Sequence, residues 1–271
     1  MKAKRLRLAT FLKCFLFLFL VGAINISLYG QANGPYYLSL KRELLYSGGG
    51  TSTTLLGYYL KTQTPDLTIS DLRPMDINDF DQIATNFSSE IADKWSDKAL
   101  FASSGLPLLL LAGRETRRDF GKIAILLGET MLINQGLTDI IKSISLRPRP
   151  YVFDENLAPS TILSSNDRAS FLSGHTSGSA AASFFFARVF SDYYPDSSLK
   201  PYIWGLAISM PALTGYLRVR GGQHYPTDVL AGYFLGASIG YFVPALHRKP
   251  AMAKGLDLSS TGNGFYLSYR F

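Results

Sequence analysis

Apolar residues run in long stretches broken by short polar connections, and the lengths and spacing of those stretches predict an all-α chain. Five apolar helices are expected near Lys98–Gly113, Lys122–Ile141, Thr176–Phe190, Tyr202–Leu217 and Asp228–Leu246. Several are shorter than a comfortable bilayer span and carry polar residues, such as Glu129, Asn134 and Gln135 in the second. Small residues recur in the later ones (Gly178, Ala180, Ala181, Ala182; Gly232, Gly236, Ala237, Gly240), a pattern that suits close helix–helix packing. A further helical candidate of membrane-like length covers 36–62, weakened by Gly48-Gly49-Gly50 and the polar run after them. Residues 63–95 are polar and acidic, and read as an exposed connector with a short helix near Asp79–Thr85. The end, Gly264–Phe271, alternates apolar and polar positions and predicts a short strand.

Charge changes the picture at the start of the chain. Lys2, Lys4, Arg5 and Arg7 precede an apolar run from Phe11 to Val21 interrupted by Lys13, followed by small and polar residues up to Gly30-Gln31. This is the pattern of an export signal, cleaved near Gly30 or retained as an anchor. Residues 1–30 hold five basic residues and no acid, so without them the formal charge of +7 falls to +2. The basicity therefore belongs to targeting and gives no argument for nucleic-acid binding. The only cysteine, Cys14, lies in the same segment, which leaves the rest of the chain without a disulfide framework, a zinc–thiolate site or a cysteine nucleophile.

Charge in the connections also orients the helices. Arg114, Arg117, Arg118 and Lys122 lie between the first two apolar helices, and His247-Arg248-Lys249 and Lys254 follow the last. The positive-inside rule puts both groups in the cytoplasm and Lys142, His175 and His224 on the outer face. A crossing signal followed by a crossing helix at 41–60 would invert this, so 41–60 is expected to lie along the surface or to pack without fully crossing. His247, beside Arg248, reads as a solvated tail residue.

Three polar segments at helix ends carry candidate chemistry. In Lys142-Ser143-Ile144-Ser145-Leu146-Arg147-Pro148-Arg149-Pro150, a lysine ending a helix and an arginine after a rigid turn can point two cations into one pocket; alone, the segment also reads as a juxtamembrane basic cluster. In Ser170-Phe171-Leu172-Ser173-Gly174-His175, Ser173 is a good N-cap and Gly174 lets backbone approach a ligand. The N–H groups of that first turn would hold phosphate oxygens beside His175. In Leu217–Asp228, Arg218 precedes His224 at a helix N-terminus, Pro226 suits the first helical position, and Asp228 lies one turn from His224, where it can accept the Nδ1 proton.

Lys, six residues, Arg-Pro; then Ser-Gly-His; then Arg, five residues, His, three residues, Asp: this pattern resembles the type 2 phosphatidic acid phosphatase family, which shares its site with vanadium haloperoxidases and class A acid phosphatases. The resemblance covers roughly residues 95–246. It implies an all-α, multi-helix membrane bundle and the following roles. Lys142, Arg149 and Arg218 would bind phosphate with help from Ser173 and Gly174. His224 would attack phosphorus, oriented by Asp228, and His175 would protonate the leaving group. It implies a lipid phosphate or diphosphate substrate, no metal or other cofactor, and a place in the bacterial inner membrane with the site facing the periplasm. A soluble periplasmic acid phosphatase and a vanadium-dependent haloperoxidase are the alternatives. Leu172 stands where the family has proline, and Leu217 where it has serine; Arg147 and Arg220 are extra cations without a role. The expected layout is a signal or anchor at 1–30, a connector region with one helix at 31–94, the phosphatase domain at 95–250 and a tail at 251–271.

Overall fold

The computed structural model describes residues 34–68, 77–153, 164–249, 255–261 and 264–270. The expected export signal, with Cys14, lies outside them. The described chain contains helices α1 (Leu40–Gln63), α2 (Asp79–Gln82), α3 (Glu90–Gly105), α4 (Arg114–Arg118), α5 (Phe120–Ser145), α6 (Gly174–Tyr193), α7 (Lys200–Arg220) and α8 (Pro226–Leu246). Strands β1 (Gly255–Thr261) and β2 (Gly264–Arg270) follow as an antiparallel pair, Gly255 opposite Arg270 and Thr261 opposite Gly264.

Six long helices form one bundle, and their side-chain bonds give their directions. Ser47 donates to Glu129 at 2.6 Å, Thr54 to the Leu132 carbonyl at 2.9 Å, and Lys61 pairs with Asp139 at 3.6 Å, so α1 runs parallel to α5 along most of its length. At about 1.5 Å per residue its 24 residues reach roughly 36 Å, enough to span a bilayer core. Of the two alternatives for 41–60, lying along the surface or packing without fully crossing, the structure shows the packing: Gly50, Gly57 and Gly136 let the two backbones approach, whereas Gly48 and Gly49 meet nothing within 4 Å. His175 meets Asp97 and Ser179 meets Ser103, so α3 runs with α6. Thr214 meets Ser179 and Trp204 meets Ser191, so α7 runs against it. Helices α1, α5 and α7 therefore run toward one end, and α3, α6 and α8 away from it.

Helix α6 is the axis of the bundle, and most of its residues are buried. It packs on α8 through a seam of glycines one turn apart. A Cβ at Gly232, Gly236 or Gly240 would come within 2.5, 2.0 and 2.3 Å of the carbonyl oxygens of Ser173, Ser177 and Ala181. The seam fixes the parallel register of α6 and α8, and so sets their two N-termini side by side. At the opposite end Tyr36, Leu110, Ile123, Leu126, Phe185, Phe186 and Val189 form an apolar cluster, and Tyr36 bridges Arg248, joining the start of the described bundle to its last helix.

Two local expectations shift. Helix α3 begins at Glu90, eight residues before Lys98, because Ser89 caps it by accepting from the Ala92 N–H; after Gly105 the chain tightens into a 3-10 turn that carries Pro107. His247 is not a solvated tail residue: it is fully buried, its Nδ1 on the Val243 carbonyl at 2.7 Å. The outer surface of the bundle carries Leu44, Leu45, Leu55, Leu56, Phe101, Leu213, Leu230, Phe234 and Phe242 exposed along its length. Tyr59, Trp95 and Tyr216 are exposed near one end, and Tyr37 and Tyr202 near the other.

The seam gives a matched pair of variants. Gly236→Ala forces a methyl against the Ser177 carbonyl and should cost about 1–3 kcal/mol. Gly128→Ala, with nothing within 4 Å of its Cβ, should be neutral or slightly stabilising. Thermal unfolding in detergent compares them, and equal midpoints would contradict the seam.

Candidate active site

Each candidate residue sits where an element ends, and the ends meet. Helix α5 stops at Leu146, whose left-handed φ of 48° turns the chain back so that Arg147-Pro148-Arg149 faces the bundle. Helix α6 starts at Gly174 with Ser173 as its cap, the Ser173 hydroxyl accepting from the Thr176 N–H. Helix α8 starts at Pro226, and Asp228 in its first turn accepts from the Tyr225 N–H at 3.0 Å. The Ser173 N–H then donates to the Asp228 carbonyl at 3.0 Å, stitching the second segment to the third.

Lys142, Arg149, Arg218, His175, His224 and Asp228 are brought together. Gln223 holds the two arginines: its Oε1 accepts from Arg149 Nη1 at 3.0 Å and from Arg218 Nη2 at 3.4 Å. Lys142 Nζ donates to the Ala169 carbonyl at 2.6 Å, and its Cε lies 3.6 Å from where a Cβ on Gly174 would stand. His224 is buried in the middle. Burial first, and then the positive charges of Lys142, Arg149, Arg218 and His175, hold its pKa well below the usual imidazole range. A neutral imidazole ringed by cations has the chemistry to act as a nucleophile toward a bound anion.

Asp228 stands 3.6 Å from His224 Nδ1, an ion-pair distance too long for a hydrogen bond, and Nδ1 has no hydrogen-bond partner among the described residues. The carboxylate is held from other sides. Its Oδ1 accepts from Arg147 Nη1 at 2.6 Å, and its Oδ2 from the Ser170 hydroxyl at 2.5 Å. This is the place of Arg147, a cation with no role in the sequence pattern. It also donates to Asp81 at 2.7 Å and stacks on the Tyr225 ring at 3.9 Å.

Asp81 corrects the reading of 63–95 as an exposed connector. It is fully buried, and its carboxylate accepts from the Thr227 N–H at 2.9 Å and the Thr227 hydroxyl at 2.6 Å as well as from Arg147. Burial alone would raise its pKa, yet these bonds hold it below the ordinary carboxylate value, so Asp81 stays charged and keeps Arg147 in place.

Helix α3 supplies two more acids that the motifs do not contain. Asp93 pairs with Arg218 at 2.5 Å, and Asp97 with His175 Nε2 at 2.8 Å. Their spacing of four residues puts both on one helical face, a signal present in the sequence, though nothing there says which cations they meet. A cleft of about 360 Å³ lined by Leu67, Leu146, Phe171, Arg147 and Arg168 opens beside this cluster; His224 is not in its wall.

Residues 123–251 match the model of the PAP2 superfamily. All eight candidate residues lie inside the matched stretch, whereas Asp81, Asp93 and Asp97 precede the PAP2 match. Two solved structures are similar to the chain. One is a transmembrane PAP2-type phosphatidylglycerolphosphate phosphatase from Bacillus subtilis: 22% identity over 73% of this chain and 94% of that one, TM-score 0.45. The other is LpxE from Aquifex aeolicus: 24% identity, 62% and 98% coverage, TM-score 0.42. No curated protein matches the chain.

Proposed function

We propose that the protein is a membrane phosphatase that hydrolyses a lipid phosphate or lipid diphosphate through a phosphohistidine, without a metal in the reaction. The observation that carries this reading is the buried, neutral His224 among Lys142, Arg149, Arg218 and His175. His224 Nε2 attacks phosphorus and the bond to the leaving oxygen breaks, with His175 giving that oxygen its proton. Water then attacks the phosphohistidine and loses a proton to His175, the P–N bond breaks, and phosphate leaves. The three cations match the charge on the transferring group, and the N–H groups after Ser173 and Gly174 add donors at the α6 N-terminus. Asp97 steadies His175, and Asp228 offers His224 Nδ1 an acceptor at 3.6 Å, one small shift from a hydrogen bond.

The exposed apolar belt favours a lipid substrate over a soluble one. Leucines and phenylalanines exposed along the helices, with tyrosines near both ends and Trp95 near one, suit a bilayer with its interfaces. Helix α8 is by itself long and apolar enough to cross. Arg114, Arg117, Arg118 and Lys122, together with Lys41, Arg42, Arg248 and Lys249, gather at the end away from His224, and the positive-inside rule supports an inward position for that end and an outward-facing site.

Three outcomes test the reading. Quenching turnover of a labelled lipid phosphate should trap an acid-labile phosphoenzyme that is absent in His224→Ala; a label surviving in that variant would remove His224 as nucleophile. Halide oxidation appearing only with vanadate and peroxide would favour the haloperoxidase alternative.

Because its folded pKa is lowered, His224 stays unprotonated as pH falls past 6.5. The acid limb of kcat/KM, corrected for ionisation of the substrate phosphate, should therefore lie below about 6.5. A limb above that value would mean another group controls it.

In spheroplasts of a Cys14→Ser background, an impermeant maleimide should label Ser145→Cys and spare Arg117→Cys. The reverse pattern would mean that the site faces inward, the orientation that a cleaved signal ahead of a crossing α1 would give.

A further inference from the structure

We propose that Glu43, Glu129 and His247 form a binding site for one divalent transition-metal ion, of the zinc or manganese class, at the end of the bundle opposite His224. The three residues come from the first turn of α1, from α5 and from the position just after α8, and all are buried. One oxygen of each carboxylate and one imidazole nitrogen lie within 4.8 Å of one another. His247 Nε2 stands 3.2 Å from Glu43 Oε2 and 3.2 Å from Glu129 Oε2.

The other atom of each group is already committed. His247 Nδ1 is 2.7 Å from the Val243 carbonyl and must carry its proton there, so that an ion displacing the Nε2 proton would meet the Nε2 lone pair inside the cluster. Glu129 Oε1 accepts from the Ser47 hydroxyl at 2.6 Å, and Glu43 Oε1 from the Ser39 N–H at 3.1 Å. This is how metal ligands are oriented by the groups behind them.

The inward atoms, by contrast, lack partners. Glu43 Oε2, Glu129 Oε2 and His247 Nε2 are buried and make no hydrogen bond among the described residues, although the ring nitrogen is within 3.2 Å of both oxygens. Distance is therefore not the obstacle; alignment is, since neither oxygen lies along the direction a ring N–H would take. An ion on that axis between the two oxygens would meet all three. Metal–ligand lengths of about 2.0–2.1 Å put neighbouring ligands of a tetrahedral ion roughly 3.3 Å apart.

The donor set selects the class of ion. One imidazole and two carboxylates, nearly dry, suit zinc or manganese; magnesium keeps more of its water and prefers oxygen donors alone. The ion would join α1, which begins before the PAP2 match, to two helices inside it, and would take no part in the phosphoryl chemistry at the other end.

Full-length protein purified in detergent, stripped by chelator and reloaded, tests this independently of catalysis. The wild type should retain one zinc per chain through desalting, show visible ligand-field bands with cobalt, and unfold at a higher temperature with zinc than without. His247→Gln and Glu129→Gln should lose the ion and the response, while His224→Ala keeps both. If the wild type retains no more zinc than His247→Gln, or its unfolding does not respond to zinc, the cluster is an imidazolium ion pair and the proposal fails. Loss of the ion in His224→Ala would also overturn it, by placing the metal in the phosphate site. The cobalt and zinc measurements on the wild type stand even if a variant does not fold.

Discussion

The arrangement depends on one buried carboxylate. Asp228 receives Arg147 and Ser170 on its side chain, the Tyr225 N–H as a helix cap, and the Ser173 N–H on its carbonyl. Those partners come from all three polar segments, so a single residue registers the end of α5, the start of α6 and the start of α8 against one another. A charge taken out of water is costly unless fully hydrogen-bonded, and here the geometry that satisfies it is also the one that assembles the site. Asp81 extends the same network by one link: it is charged, buried, and closes the far side of Arg147.

Packing supplies the stage on which that network is drawn. The glycines of α8 let it lie against the carbonyls of α6, so two helix N-termini rise to the same level with His175 and His224 beside each other. Hydroxyls and amides fill the layers between helices: Ser177 on Asn134, Ser179 on Ser103, Thr214 on Ser179. Such bonds fix rotation without leaving an unsatisfied group in a dry interior. The leucines and aromatics left over face outward, which is the reverse of a soluble core.

Much of this was legible in the sequence, for reasons that differ by residue. The helices followed from apolar stretches, and Ser173 and Pro226 marked two starts because cap chemistry is local. The residues that meet at the candidate site were legible because they lie at fixed spacings within short segments. Asp81, Asp93 and Asp97 were not: each acts on a partner more than sixty residues away, and a lone acid in a polar stretch looks the same whether solvated or buried. His247 failed for the same reason, since Arg248 and Lys249 beside it suggested water while Glu43 and Glu129 arrive from distant helices. The course of α1 was obscured by its glycines, which weaken a helix in isolation, while Gly50 and Gly57 suit it to a close neighbour.

The pairing of Asp93 with Arg218 has a consequence for how a ligand is met. The arginine never stands bare: an internal carboxylate already occupies part of its fork. A phosphate arriving there does not add to the site but exchanges with an anion the protein carries on α3. The net attraction is the difference between two anions rather than the full strength of one. When a bound anion leaves, the same carboxylate is at hand to take the place back. A cradle built with its own displaced counter-ion is one that lets go.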